Sequence, residues 1–488
     1  MEAQIVAHSF DFDEIRSQLE EYGQGHLLRY WDSLDDRQKE TLAAQLSSID
    51  HELMRRLVQK WVLNEPPAEH FSHIEPVTTI PVANPSDPGA REAWEAGERA
   101  LRDGRVGLLL VAGGQGTRLG FSGPKGAYPI GPVSGKTIFE FHAEKLRNLQ
   151  RRYGCALPWY IMVSNSNHAS TRAFFEENAY FGLDEANVFF FQQRMVPCVD
   201  EQGKFMLDEP DRLAMNPNGH GGTIPAVVEN GIAQDAAGRG VDIFSYFQVD
   251  NWAVKVADPC FIGYHVLRQA QMSSKVHRKN HPRESVGVHC LCDGEYRTIE
   301  YSELDIYPQL LETDSEGNLL YYAGNPAIHI LSRGFIEEMH RRFGEFPWHR
   351  AHKKVPYLDA EGKRVVPDEP NAYKFETFIF DALRFTKHKP VALEITRLGE
   401  YTPIKQFEGS NSVQAARQAM RQYWGAWLEK AGAVLRYDQE GNVVTEVEIS
   451  PDFALDEAEF IEKSGGFTWP STGPIAIDAQ GNFIEPAG

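Results

Sequence analysis

The chain has 488 residues, 42 % of them hydrophobic, enough for a large core and for two to four domains or one large α/β core with additions. Its formal net charge of −20 excludes general nucleic-acid binding, which needs a basic face, but not a phosphate-bearing ligand, which a few local cations can hold. The five cysteines (Cys155, Cys198, Cys260, Cys290 and Cys292) form no Cys-x-x-Cys pair, so neither a disulfide framework nor a zinc site is expected.

In chain order, Met1-Glu2-Ala3-Gln4 lacks the basic and apolar regions of a secretory leader, and no run approaches 18 apolar residues. A cytoplasmic protein with no membrane segment is expected. The first 63 residues read as helices. Phe12, Ile15, Leu19 and Tyr22 recur at three- and four-residue intervals, as do Leu42, Leu46, Ile49 and Leu53, and Asp50 is a candidate N-cap. Six prolines (Pro66, Pro67, Pro76, Pro81, Pro85 and Pro88) then rule out a regular helix and predict an extended connector.

A helix near 90–103 should lead into a buried parallel strand at 106–111. Strands over 159–163, 188–192, 243–249 and 286–290 alternate with helices over 138–152 and 170–178. That alternation predicts an α/β fold with a mostly parallel mixed sheet and helices on both faces. Cys290 and Cys292, two apart in a β-like stretch, should share a face and pack. A helix over 410–431 and turns at Asp438-Gln439-Glu440-Gly441 and Asp478-Ala479-Gln480-Gly481 suggest a small β-rich C-terminal domain. The expected divisions are a helical arm with connector (1–95), a central domain (96–400) and a tail (401–488).

The strongest local signal is Leu109-Leu110-Val111-Ala112-Gly113-Gly114-Gln115-Gly116-Thr117-Arg118-Leu119-Gly120, followed by Pro124-Lys125-Gly126. A strand delivers the chain to a turn without Cβ atoms, where backbone N–H groups can approach a phosphate, and Arg118 and Lys125 add positive charge. The Walker A spacing does not occur. The dinucleotide fingerprint fits only as a variant, with Gly120 one place late. A purely structural turn would cost backbone entropy for no packing gain.

This segment resembles the signature of the UDP-sugar pyrophosphorylases, and more closely that of the eukaryotic-type UDP-N-acetylglucosamine pyrophosphorylases. The resemblance covers most of the chain. It includes Gly25-His26-Leu27-Leu28-Arg29-Tyr30-Trp31, Phe190-Phe191-Gln192-Gln193, Pro217-Asn218-Gly219-His220-Gly221-Gly222 and Val249-Asp250-Asn251. It continues through Glu300-Tyr301-Ser302-Glu303, Ala323-Gly324-Asn325, Lys374-Phe375-Glu376 and Pro403-Ile404-Lys405. It implies a Rossmann-like, GT-A-like nucleotidyltransferase core between an N-terminal arm and a C-terminal domain. The implied reaction joins UTP and N-acetylglucosamine 1-phosphate, releases pyrophosphate and uses Mg²⁺.

Carried onto this sequence, the resemblance assigns Arg118 and Lys125 to the triphosphate and Lys405 to the incoming sugar phosphate. Gly113, Gly114, Gly116 and Thr117 belong to the nucleotide loop. Gln193 and Gly219 would read uracil, with His220 between uridine and sugar. Asp250, closing the apolar run at 243–249, would hold Mg²⁺, the alternative being a turn or N-cap aspartate. Gly287, Glu300 and Asn325 fall to the sugar. Phe378 and Phe380, if on one strand, would share a face and line an acetyl pocket or simply pack in the core.

His220 departs from the nearest family, which carries asparagine in that block, and is similar to the UDP-glucose enzymes. A broader or glucose/galactose-type UDP-sugar pyrophosphorylase is therefore the first alternative. An NAD(P)-dependent oxidoreductase would want a ribose-reading residue where the chain offers Ser134-Gly135-Lys136. A non-catalytic sensor would have no use for Lys125 and Asp250. No partner beyond the substrates is implied, and a monomer or weak homo-oligomer is expected.

Overall fold

The computed structural model describes residues 11–64, 69–388 and 390–485; Met1–Gln4, Pro66 and Pro67 lie outside them. Contacts divide the chain into two compact units, each discontinuous in sequence. The smaller gathers the N-terminal helices up to His70 with Arg194–Gly222 and Glu345–Ile379. The larger gathers Phe71–Gln193, Thr223–Gly344 and the chain from Phe380 onward. These units cut across the boundaries expected at 95 and 400.

The larger unit is built on an eleven-stranded sheet. Its spatial order is Ile74–Pro76, Val288–Cys292, Ala323–Gly324, Met272–Arg278, His329–Ser332, Ile243–Gln248, Val106–Val111, Trp159–Val163 and Val188–Gln192. Glu295–Ile299 joins at Val288–Cys292, and Val391–Ile395 joins at Met272–Arg278. Seven strands run one way. Ile74–Pro76, Glu295–Ile299, Ala323–Gly324 and His329–Ser332 run the other. The sheet is mixed and mostly parallel, as the strand–helix alternation implies. Its central runs are apolar because helices cover both faces: Leu108, Leu109 and Leu110 are all fully buried.

Two helices that begin Asp-Pro show how local chemistry starts an element. Asp87 caps Pro88–Arg102 and Asp258 caps Pro259–Leu267, each carboxylate accepting a first-turn N–H while proline supplies the helical φ. The pair then packs backbone to backbone. A Cβ on Gly97 would lie 1.8 Å from the Pro259 carbonyl oxygen, and one on Gly263 would lie 1.6 Å from that of Ala93. Gly263→Val should force the helices apart and destabilise the protein by about 2–3 kcal/mol. A denaturant melt unchanged to within about 0.5 kcal/mol would contradict this packing.

The strand expected over 286–290 is observed as Val288–Cys292, because its ladder begins at Val288 opposite Ile299. Cys290 and Cys292 do share a face. Their sulfurs lie 3.6 Å apart as free thiols in an apolar cluster with Ile299 and Leu310.

The tail is more helical than expected. After residue 400 it carries Val413–Lys430 and Glu457–Ser464, against one parallel pair of three-residue strands, Val447–Ile449 and Ile475–Ile477. The turn signals are real: Asp438 and Asp478 each accept backbone N–H groups around a left-handed glycine. Yet each turn is closed by a single bridge, Tyr437 to Val443 and Ile477 to Phe483, so a turn motif there marks a loop and not a ladder. Met420, Trp424 and Phe460 join the same apolar core as Phe141 and Trp252.

In the smaller unit, Asp11, Asp35 and Asp50 cap three successive helices, Phe12–Glu21, Asp36–Ser47 and His51–Trp61. The segment after the first helix pairs with the 203–205 turn: Gln24 donates to the Gly203 carbonyl and accepts from the Phe205 N–H. Among the described residues no helix is long and apolar enough to cross a membrane.

Candidate active site

Strand Val106–Val111 ends in the glycine loop. Asn167 donates to the Ala112 carbonyl at 2.7 Å and Ser164 to that of Gly113 at 2.9 Å, which fixes the turn from one side. From the other, Lys125 N–H donates to Gly114 and Gly116 N–H to Gly123. A Cβ on Gly116 would meet the Phe121 ring at 2.7 Å, so the loop closes only over a glycine. The N–H groups of Gly113, Gly114 and Gln115 meet no acceptor among the described residues. They are left for a ligand at the carboxyl edge of a parallel sheet. Thr117 and Arg118 stand exposed on the short turn that follows, and Arg118 forms no ion pair among the described residues. Gln193 is 7 % exposed, with its amide nitrogen 3.6 Å from where a Gly113 Cβ would be.

Lys125 and Asp250 meet, 3.2 Å apart and largely shielded from solvent. Asp250 lies just past strand Ile243–Gln248, and its backbone carbonyl accepts the Ile404 N–H at 2.9 Å. Beside it the buried Asn251 side chain donates to the Glu400 carbonyl at 2.7 Å and accepts from the Thr402 N–H at 3.0 Å. These bonds tie the segment carrying Lys405 to the Asp250 turn. Partial desolvation opposes the charge on Lys405. The fields of Tyr401, Asp250 and Glu300 outweigh it and raise its pKa above the ordinary lysine value, so it stays cationic at neutral pH.

Three of the residues that the resemblance assigns to the sugar also come together. A Cβ on Gly287 would lie 2.8 Å from a Glu300 carboxylate oxygen, and the Asn325 N–H donates to the Gly287 carbonyl at 2.9 Å. Asn325 accepts from the Ala327 N–H through its side-chain oxygen, which leaves the amide nitrogen as the available donor.

Phe378 and Phe380 do not share a strand face. Strand Ala372–Glu376 stops before them because Thr377 turns its N–H and hydroxyl to the Asn218 carbonyl, and Ile379–Phe385 coils into 3-10 turns. The Phe378 ring stacks with His220 at 5.2 Å and with His349 at 4.3 Å, while Phe380 is 4 % exposed. The acetyl pocket built on a shared face therefore falls. His220 accepts the Ile379 N–H on Nδ1, which leaves its other nitrogen as the protonated one in the neutral ring. Gly219 takes φ of +83°, and a Cβ there would lie 2.4 Å from the Thr377 carbonyl oxygen, so no other residue fits. Gln193 and Gly219 belong to different units.

Asn251, Asn167 and Ser164 receive no role from the sequence. Asn251 stands directly after Asp250 in Val249-Asp250-Asn251, which is the signal that marks it. Asn167 and Ser164 carry no motif.

A glycine loop with free N–H groups, flanked by cations and one carboxylate at the strand ends, defines a phosphate-handling α/β protein. The model of the UDPGP family, UTP–glucose-1-phosphate uridylyltransferase, matches residues 56–417; the chain belongs to this family and is a nucleotidyltransferase. Human UDP-N-acetylhexosamine pyrophosphorylase-like protein 1 is 39 % identical over 437 residues, covering 86 % of each chain. The Saccharomyces cerevisiae UDP-N-acetylglucosamine pyrophosphorylase is 35 % identical over 435 residues, 85 % of this chain and 91 % of that one. Among solved structures, the Trypanosoma brucei uridine diphosphate N-acetylglucosamine pyrophosphorylase superposes with a TM-score of 0.78 at 24 % identity, covering 93 % of this chain and 96 % of that one. That likeness is one of fold.

Proposed function

We propose that the protein transfers a uridylyl group from UTP to N-acetylglucosamine 1-phosphate and releases pyrophosphate. The observation that carries this reading is the Lys125–Asp250 pair beside an open glycine loop, with the Lys405 segment hydrogen-bonded to the same turn. A phosphate oxygen of the sugar 1-phosphate attacks the α-phosphorus in line. The nucleophile arrives ionised, so no side-chain nucleophile is needed, and catalysis is positioning and charge neutralisation. Arg118 and Lys125 hold the triphosphate and take up charge on the departing pyrophosphate. Lys405 receives the attacking phosphate. Gln193 reads the uracil, and Glu300 and Asn325 take the sugar, with the Asn325 amide toward the 2-acetamido group. The sheet is read as a Rossmann-like, GT-A-type core, and the protein as cytoplasmic.

Asp250 fits a magnesium ligand. One oxygen faces Lys125, and the other makes no hydrogen bond among the described residues. No cluster of three His, Cys, Asp or Glu is present among them. Mg²⁺ needs only one or two carboxylates besides phosphate oxygens and water. Bound there, it would neutralise charge on the phosphates.

The test is pyrophosphate release from UTP with a panel of sugar 1-phosphates, with and without EDTA. N-acetylglucosamine 1-phosphate should exceed glucose 1-phosphate by roughly tenfold in kcat/KM, the worth of one hydrogen bond from the Asn325 amide. Activity should vanish in EDTA and return with Mg²⁺. A glucose preference would favour the second reading, a glucose-type or broad enzyme, for which a histidine at position 220 speaks.

A further inference from the structure

The larger unit contains a cavity of about 290 Å³ that neither the glycine loop nor Lys405 lines. Its walls are aromatic: Trp94, Trp252, Tyr423, Trp424 and Trp427 contribute, and Trp252 and Trp424 pack at 5.4 Å between ring centroids. Its charged residues are matched, with one exception. Lys255 pairs with Glu400 at 3.5 Å, Lys275 bridges Asp258 and Glu400, and Arg152 faces Asp456 and Glu459. Lys145 forms no ion pair among the described residues. It is 8 % exposed, and its ammonium donates to the Trp252 and Val254 carbonyls, two neutral acceptors for three N–H donors. Burial lowers its pKa to about 7, with only Glu400 opposing. A buried amine without an ion-pair partner holds its proton weakly, and an incoming anion would favour the charged form by pairing with it.

The cavity wall is also continuous with the catalytic turns. Trp252 follows Asp250 and Asn251 directly, and the Glu400 carbonyl is the one that Asn251 holds. The volume is just below the range of about 300–1,000 Å³ typical of drug-sized ligands, which limits the occupant to one or two rings. We propose that this cavity is an effector site for a small planar aromatic acid, its ring against the tryptophans and its carboxylate paired with Lys145. Occupancy would then be felt at Asp250 and Lys405 through the shared segments 250–254 and 400–405.

Calorimetric titration of the full chain with 2-naphthoate, and with 2-naphthylmethanol as the uncharged counterpart, tests this. The acid should bind about tenfold or more tighter than the alcohol, the worth of one charge-assisted hydrogen bond. Saturating UTP should not displace it. Saturating naphthoate should change kcat while the KM for UTP holds. Lys145→Met should erase the preference for the acid. Leu455→Trp, which fills part of the cavity and leaves Lys145 in the sequence, should block both ligands and serves if the first variant does not fold. No binding, equal binding of acid and alcohol, displacement by UTP, or saturation without any change in kcat would overturn the proposal. The binding arms do not depend on turnover, so they stand or fall apart from the substrate assignment.

Discussion

Replacing Lys125 with methionine should lower kcat by about 10²–10³-fold, the usual cost of removing one preorganised charge from a transition state that develops negative charge. The ammonium sits 3.2 Å from Asp250, largely out of solvent, where its field is weakly screened. It is held there from both ends: its backbone N–H closes the glycine loop on Gly114, and its side chain reaches the Asp250 turn. Asp250→Asn should cost a similar factor. The double variant should lose little more than either single one, because the two groups act as a unit. Steady-state kinetics with UTP and N-acetylglucosamine 1-phosphate, together with a UTP binding titration, measure this. A loss in kcat below about fivefold for Lys125→Met would show that the pair is structural and stands outside the reaction.

The second large effect is on stability. Lys275 is fully buried, 2.6 Å from Asp258 and in contact with Glu400. Lys275→Met keeps the volume but leaves the Asp258 and Glu400 carboxylates with only Lys255 to offset them, and should cost about 3–5 kcal/mol in a denaturant melt at neutral pH. The pH dependence follows from the shifts. Burial opposes the charge on Asp258, yet Lys275 and Lys255 hold its carboxyl below the usual value. In the wild type that stability is present above the unfolded carboxylate pKa and is lost as pH falls through the lower folded one. Without Lys275, burial should outweigh the remaining field of Lys255 and raise the Asp258 carboxyl. The variant's deficit should then be largest near neutrality and shrink on acidification toward about pH 4–5. A deficit below about 1 kcal/mol, or one that grows on acidification, would contradict the assignment.

Much of the site was legible because its chemistry is local. The glycine loop is one continuous segment, and the meaning of a strand running into Gly113, Gly114 and Gly116 needs no distant partner. Asp250 was legible as a strand-end residue, since an apolar run that stops at a polar side chain marks the edge where ligands bind, whereas Gln193 was marked only by the resemblance. Phe378 and Phe380 show the limit. Spacing of two implies a shared face only inside a ladder, and the ladder ended when Thr377 found the Asn218 carbonyl, 159 residues away. The tail shows the same limit: Asp438 and Asp478 make the turns their side chains favour, but pairing depends on what lies opposite.

The sequence by itself determined the class of fold, the glycine loop at a strand end, the helix starts at aspartate caps and the chemistry on offer at each strand end. These follow from periodicity, backbone sterics and side chains bonding within a few residues. Only the tertiary structure decided that Lys125 meets Asp250, that Asn251 ties the Lys405 segment to the same turn, and that Gly287, Glu300 and Asn325 form one cluster. It also decided that Lys145 is left without an ion pair among the described residues beside an aromatic cavity. Each of these joins groups brought together by sheet order and helix packing, and such contacts depend on how the whole core closes and not on any local preference of the residues that make them.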